Sequence, residues 1–227
     1  MFDLTSAFIR NDNDEVMEGF LYDTPPDCVH LLFILREPDC ENEQSFWLKN
    51  ALHNNVGRGK NGNKIINTFT RLACFALGKK DTEILKECAF INLYPYDGKP
   101  RVDRNGGFFK TLKEIQSPSE QQQIYYRDDG KEINITEIAS KRLNLFSHLK
   151  DTHISTIVTV TDIFNCISTK DNSCEIERII KKNGKSFRVG SLVYNDKIKV
   201  FEYYHPSARC VNYQLLDDAI ERRIVFP

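Results

Sequence analysis

Three polar residues stand at or just beyond the ends of apolar runs, and their side chains could carry a reaction: Glu37, Asn92 and His205. A carboxylate can act as an acid, as a base or as a stabiliser of positive charge. The carboxamide of an asparagine can read the edge of an amide-like ring such as a pyrimidine. A neutral imidazole can donate a hydrogen bond to a developing oxyanion, an effect worth roughly 10²–10³ in rate per donor. Taken singly, each residue has a plainer interpretation, as a surface carboxylate, a turn amide or a structural histidine.

Buried strands would have to bring these residues together. The predicted strands are Cys28 to Leu35, Cys88 to Leu93, Ile154 to Val160, Arg188 to Tyr194 and Ile198 to Tyr204. The predicted helices are Gln44 to Leu52, Ile65 to Leu77, Thr136 to Lys150 and Asn212 to Arg222. Strands that alternate with helices predict an α/β fold, with a parallel sheet covered by helices on both faces. Chemistry in such sheets lies at the carboxyl ends of the strands.

The connecting segments are polar. Asn54 to Asn63 contains three glycines and predicts a loop, Gly78 suits the end of a helix, and residues 117–135 predict an inserted surface loop. Lys181 to Lys185 predicts a basic turn, and Asn195-Asp196 predicts a tight turn before the last strand.

The composition fits one domain over residues 1–227, with 41% hydrophobic residues and a formal net charge of -1. Residues 1–27 hold seven acids against one arginine and predict an acidic N-terminal appendage. No apolar run approaches the ~20 residues of a membrane helix, and the first residues lack the pattern of a secretory signal. We therefore expect a cytoplasmic monomer that does not engage a membrane.

The cysteines and the basic residues bear on cofactors and partners. The seven cysteines include no C-x-x-C pair, so we expect reduced structural thiols, no metal and no cofactor. From Gln44 to Lys80 there is no acid but seven basic residues, among them Arg58, Lys60 and Lys64. Such segregation creates a local positive field, which favours a polyanion partner over a merely solvated basic face.

In combination and in order, three motifs resemble those of the uracil-DNA glycosylase superfamily: Leu35-Arg36-Glu37-Pro38, Asn92 and His205-Pro206-Ser207. In that superfamily the first motif is Gly-Gln-Asp-Pro, Gly-Ile-Asn-Pro or Gly-Glu-Ala-Pro after a strand. A middle strand ends in an Asn that reads the base, and the last motif is His-Pro-Ser. The resemblance covers about Cys28 to Ile220. It implies a three-layer α/β/α sandwich around a central, mostly parallel four-stranded sheet.

The resemblance also implies roles. Glu37 would orient a water and stabilise an oxocarbenium-like sugar, as carboxylates do in sugar hydrolases. His205 would stabilise negative charge on the departing base, and Asn92 would select the base. The pocket would be lined by Pro38 and Asp39.

Further positions follow from the same resemblance. Phe46, with Trp47 as second choice, would stack on the flipped base. Arg209 would enter the gap left in the duplex, and Ser207 would hold a phosphate. The cations Arg58, Lys60 and Lys64, in or beside a glycine-rich loop, would offset the few kcal/mol that base flipping costs. This loop is not a Walker A site, because Asn63-Lys64 follows Gly62 where G-K-[ST] is needed.

Some residues depart from the superfamily pattern. Leu35 stands where a Gly is usual, Arg36 replaces Gln, Ile or Glu, and Asp39 stands where Tyr or Gly is common. These changes alter the wall of the pocket, so strict selectivity for uracil does not follow from the resemblance. Uracil is the default substrate, with hypoxanthine or a bulky modified pyrimidine, as in some phage DNA, as alternatives.

We therefore predict a monofunctional DNA glycosylase that leaves an abasic site, acting in base-excision repair or in phage defence. No lysine stands at the three strand ends to form a Schiff base, so lyase activity is not expected. A second hypothesis is a DNA or base sensor that keeps the fold without the chemistry. A third, an α/β enzyme acting on nucleotides or phosphosugars, is disfavoured because no glycine-rich turn follows the first strand.

Overall fold

The computed structural model describes residues 2–8, 19–22, 25–35, 59–92, 124–126, 132–160, 174–182, 185–192 and 195–203. The strands are β1 (Gly19–Phe20), β2 (Leu31–Leu35), β3 (Cys88–Asn92), β4 (Ile124–Tyr126), β5 (Glu132–Asn134), β6 (Thr156–Val160), β7 (Cys174–Lys182), β8 (Lys185–Leu192) and β9 (Asn195–Tyr203). The α-helices are α1 (Gly59–Leu77) and α2 (Ile135–Ser147). Short 3₁₀ helices span Leu4–Ala7, Pro26–Cys28, Ile84–Glu87 and Leu149–Asp151.

A mixed seven-stranded sheet with the order β1-β3-β2-β6-β9-β8-β7 forms the frame. Its four central strands, β3, β2, β6 and β9, are mutually parallel, and both flanks are antiparallel. The predicted α/β class is confirmed. The predicted number of four strands applies only to the parallel centre, because hairpin strands and a short edge strand extend the sheet on both sides.

The parallel strands share one register. Leu31 pairs with both Cys88 and Thr156, and the ladder between β6 and β9 starts at Thr156 with Lys199. At the other end, Leu35 pairs with Asn92. The carboxyl ends of the four strands therefore lie along one edge of the sheet, which we call the carboxyl edge.

Three aromatic rings fix α1 against one face of the sheet. Phe33 stacks on Phe90 with ring centroids 4.8 Å apart, and Phe69 of α1 meets both edge-on, at 5.0 Å and 5.3 Å. All three side chains are at most 1% exposed. Such edge-to-face and offset contacts are the arrangements that aromatic quadrupoles favour. They extend a buried apolar cluster that also contains Val158 and Phe201.

Helix α1 begins earlier than predicted. It starts at Gly59, so Lys60 and Lys64 belong to the helix. The sequence analysis had placed them in or beside a glycine-rich loop. Glycine disfavours helix interiors by only about 1 kcal/mol per residue, which packing of the apolar face further along α1 can offset. The predicted end is confirmed: the helix stops at Leu77, and Gly78 adopts φ +64°, the left-handed conformation typical of a helix stop.

The described parts of the N-terminal segment, residues 2–8 and 19–22, pack against the rest of the fold. Leu4, Ala7 and Phe8 are buried, and β1 pairs with β3 at the edge of the sheet. The side chain of Arg142, on α2, is fully buried and donates a hydrogen bond of 3.0 Å to the carbonyl of Ala7. Acidic composition hid this packing because the buried apolar residues are few and widely spaced in the sequence.

Three further differences concern strands. Neither β1 nor β7 was predicted, and β4 pairs with β5 inside the segment that the sequence predicted as a loop. The antiparallel pairing of β8 with β9 matches the expected hairpin, but Asn195 already pairs with Leu192, so the turn does not lie at Asn195-Asp196. The predicted helices Gln44 to Leu52 and Asn212 to Arg222 lie outside the described residues.

Candidate functional site

Asn92 is the one predicted site residue whose side chain is described, and it ends β3 at the carboxyl edge. It is 6% exposed and pairs in register with Leu35 of β2. Successive residues of a strand point to opposite faces, so Asn92 shares its face with Phe90, the face that α1 covers. The Asn92 amide therefore lies next to the aromatic cluster, at the carboxyl-edge end of the apolar layer between α1 and the sheet.

The remaining predicted site residues lie outside the described parts of the chain: Glu37, Pro38, Asp39, Phe46, Trp47, Arg58, His205, Ser207 and Arg209. Lys60 and Lys64 lie on the described backbone of α1. In sequence, Glu37 follows two residues after Leu35, and His205 follows two residues after Tyr203. The described strand ends that lead to these two residues are thus those of β2 and β9.

The direction of α1 decides where its cations lie. We call the opposite edge, where the four parallel strands begin, the amino edge. Because β2 and β3 are parallel neighbours, and α1 ends just before the segment that leads into β3, α1 runs from the carboxyl edge to the amino edge. The first turns, with Lys60 and Lys64, are therefore near the carboxyl edge. Nineteen residues of helix span about 28 Å at 1.5 Å each, so the last turn lies at the opposite edge.

The basic block from residue 44 to residue 80 is therefore not one surface. At the amino edge, Lys79 forms an ion pair of 2.7 Å with Glu87, a carboxylate that lies outside the acid-free stretch. The sequence could not reveal this pairing, because the two residues meet through the turn after α1. Of the block's described cations, Lys60 and Lys64 lie near the same edge as Asn92, whereas Lys79 and Lys80 lie at the opposite edge.

A buried carboxylate that the sequence analysis missed lies on the other face. Glu202 is 5% exposed and pairs in register with Thr159, which is fully buried and donates a hydrogen bond of 3.4 Å to the carbonyl of Phe201. Phe201 belongs to the cluster under α1, so its neighbour Glu202 faces away from that cluster. The signal in the sequence was the position of Glu202, an acidic residue inside the apolar run Ile198 to Tyr204. The sheet separates Glu202 from Asn92.

Cys28, Cys74 and Cys88 are free thiols, the first exposed and the other two buried. Burial raises the pKa of the Cys88 thiol well above its ordinary value, and the neighbouring Glu87 raises it further. The thiol donates a hydrogen bond of 3.4 Å to the carbonyl of Ile84. Cys88 is therefore held as a neutral packing residue at the start of β3.

Within the described ranges, no three His, Cys, Asp or Glu side chains are grouped so that they could hold a metal ion. Neither described helix is long and apolar enough to cross a membrane. The chain matches no protein-family model, no curated protein and no solved structure. Its function must therefore be inferred from its own residues and from the geometry of the carboxyl edge.

Proposed function

We propose that the protein is a monofunctional DNA glycosylase of the uracil-DNA glycosylase type. The observation that carries the proposal is the common register at the carboxyl edge. Asn92 and Leu35 form one register pair, and Val160 and Tyr203 form another on the two neighbouring strands. Glu37 and His205 each follow two residues after such a strand end. A dipeptide reaches at most about 7 Å, which limits how far either residue can be from this edge.

The spacing of the three residues supports convergence on one face. Leu35 and Phe201 belong to the cluster beneath α1, and Asn92 shares that face by alternation. Glu37 lies two residues beyond Leu35, and His205 lies four residues beyond Phe201. Even separations are what an extended chain requires to present residues on one face. An odd separation at either position would have argued for opposite faces.

Distances across the sheet suit a nucleobase. β2 and β9 are separated by β6 alone, so their ends are about 10 Å apart at the usual strand spacing of about 4.8 Å. Carboxylate pairs that activate a water beside a sugar are about 6.5–9.5 Å apart in inverting glycosidases. A gap of this order leaves room for a sugar, a water and a departing ring between Glu37 and His205.

The roles then follow from chemistry. Glu37 orients the attacking water and stabilises the positive charge that develops on the deoxyribose. His205 donates a hydrogen bond to the base as it gains negative charge and leaves. Asn92, on the strand beside β2, binds the edge of the base. Bond cleavage between the sugar carbon and the base nitrogen, with addition of water, gives a free base and an abasic site.

The fold is consistent with the sandwich of this superfamily. α1 connects β2 to β3 in one direction along the sheet, and α2 precedes β6 on the other side of β2. Right-handed crossovers in opposite directions put their helices on opposite faces. Such an arrangement would give the three-layer α/β/α sandwich that the resemblance implies.

Electrostatics favour a phosphate backbone at the same edge. The N-terminus of α1 carries the positive end of the helix dipole, and Lys60 and Lys64 lie in its first two turns. Arg58 immediately precedes the helix. Together they would contact phosphates beside the flipped nucleotide, offsetting the cost of extrusion.

The test is a panel of duplex and single-stranded oligonucleotides that carry uracil, hypoxanthine, xanthine or hypermodified cytosine, treated with alkali to cleave abasic sites. We expect strand scission for at least one base. Glu37→Gln should lower the rate by at least about 10²-fold while duplex binding persists. Glu83→Gln, at an exposed carboxylate of the amino edge, is the matched control.

The departures in the first motif favour one other function, a DNA or base sensor that retains the fold. Arg36 and Asp39 replace residues that are usual around the catalytic carboxylate. Base-dependent duplex binding without strand scission, equal in the parent and in Glu37→Gln, would establish the sensor and reject the enzyme.

A further inference from the structure

The β7–β8 hairpin is a basic element that the proposed catalytic set does not use. β7 pairs with β8 along its whole length, from Cys174 with Leu192 to Lys182 with Lys185. In sequence, no acid occurs from Arg178 to Asn195, whereas that stretch holds five basic residues. They are Arg178, Lys181, Lys182, Lys185 and Arg188. This is a second acid-free basic segment, distant in sequence from the one that includes α1.

The register puts the lysine end of this hairpin at the carboxyl edge. β9 is parallel to β6 and runs towards that edge, and β8 is antiparallel to β9 and therefore starts there. Arg188 pairs with Glu202. Lys185 lies three residues before Arg188 on β8, and in the sequence His205 lies three residues after Glu202. The hairpin end therefore lies at the carboxyl edge, towards which β9 runs.

The backbone register puts two lysines at facing positions at this end of the hairpin. Lys182 and Lys185 are directly opposite each other as the last register pair. Like charges placed directly opposite across antiparallel strands are destabilising. Lys181 adds a third charge next to them. A bound polyanion would convert this repulsion into attraction, whereas a free protein gains nothing from it.

We infer that Lys181, Lys182 and Lys185 form a phosphate clamp for the DNA backbone. The first turns of α1 and the hairpin end then grip the substrate strand on the two sides of the base pocket. This rests on the proposed function. β7 is five strands from β3, so about 24 Å of sheet separates the hairpin from the strand that ends in Asn92.

The experiment measures binding of a 30-base-pair duplex without any modified base as a function of salt concentration. Three phosphate contacts contribute a slope of about −2.7 to the dependence of log K on log salt. In the triple variant Lys181→Gln, Lys182→Gln, Lys185→Gln, we expect the slope to become shallower by about this amount. Affinity at low salt should fall by at least about tenfold.

Two matched variants make the outcome specific. Lys80→Gln, Lys86→Gln, Lys150→Gln removes three charges from exposed lysines near the amino edge and should leave the slope almost unchanged. Replacement of the three hairpin lysines by arginine keeps the charges and should keep the slope. A glutamine variant that retains its melting temperature and the parental slope would overturn the clamp.

Failure of the clamp and failure of the glycosylase proposal are separable. If the parent binds the duplex with a lysine-dependent slope but releases no base from any oligonucleotide, the clamp stands and the enzymatic proposal falls. If the parent excises a base and the hairpin variant excises and binds equally well, the clamp falls and the enzyme stands. A parent that does not bind duplex DNA overturns the clamp.

Discussion

Leu35 and Asn92 are the last register pair of the ladder between β2 and β3, and both are nearly buried. The proposed water-orienting carboxylate is two residues beyond Leu35 in the sequence, so the residue that would do chemistry and the residue that would read the base are presented by adjacent strands. Adjacent parallel strands are only about 4.8 Å apart. A single nucleoside could therefore contact both.

Asn92→Ala tests the reading of the base. Loss of a paired amide contact costs about 1–3 kcal/mol of discrimination, so excision of the preferred base should fall about 10- to 100-fold. Binding of an unmodified duplex should stay within twofold of the parent. Excision kinetics and a gel-shift titration measure the two effects. Asn144→Ala, at an exposed amide on α2, should leave both at parental values, and equal excision by the two variants would contradict the role of Asn92.

Phe69→Ala tests the aromatic cluster beneath the site. Removing a buried phenylalanine side chain typically lowers the free energy of unfolding by about 3–5 kcal/mol. Because Phe69 is 1% exposed and its ring contacts both Phe33 and Phe90, we expect a loss within this range. Urea denaturation measures the change. Asn67→Ala, two residues earlier and exposed, should change stability by less than about 0.5 kcal/mol.

Arg142→Met tests whether the N-terminal segment is held by α2. Methionine keeps much of the aliphatic volume but cannot donate the 3.0 Å hydrogen bond to the carbonyl of Ala7. A buried acceptor that loses its partner costs about 1–3 kcal/mol. We expect this loss in urea denaturation and faster proteolysis near the N-terminus. If Lys141→Met, at the exposed neighbouring position, is equally destabilising, the contact with Ala7 is not the cause.

The Cys88 thiol predicts a dependence of stability on alkaline pH. Its pKa in the folded protein is raised, chiefly by burial, above the ordinary value of 9.0. The folded state keeps its proton where the unfolded chain loses it, so the contribution is complete below pH 9.0 and declines above it. The decline is about 1.4 kcal/mol per pH unit until the folded pKa is reached. The stability advantage of the parent over Cys88→Ala should therefore shrink between pH 9 and pH 10 in urea denaturation. A constant difference would refute the burial of a neutral thiol.

Apolar runs were sufficient to predict the centre of the sheet. β2 and β3 are apolar almost throughout, as central parallel strands typically are, and β6 and β9 each contain an apolar run; all four were predicted within a few residues. The short β1 has too few residues to show any period. β7, with Cys174, Ile176 and Ile180 among charged residues, contains a register shift between Ile176 and Arg178 that breaks its alternation. Period-based reasoning fails on both for physical reasons.

The site was predictable to a smaller extent. The apolar run that begins at Cys88 predicted that Asn92 would stand at the end of a strand. In the structure, Asn92 is the last residue of β3. The division of the basic block did not follow, because it depends on the direction of α1 and on the pairing of Lys79 with Glu87. The burial of Arg142 was equally hidden, although its place on the apolar spacing of α2 was a usable sign.

The place of β9 in the sheet has a consequence for how the chain acquires its structure. This strand, at residues 195–203, fills the gap between β6 and β8 and supplies Phe201 to the cluster under α1. A ribosome must therefore release the chain through residue 203 before the central ladder can close, and until then the edge of β6 that β9 will occupy is unpaired. Non-local pairing of this kind is slow and leaves partly synthesised chains open to aggregation. The nascent protein should depend on chaperones until β9 has emerged.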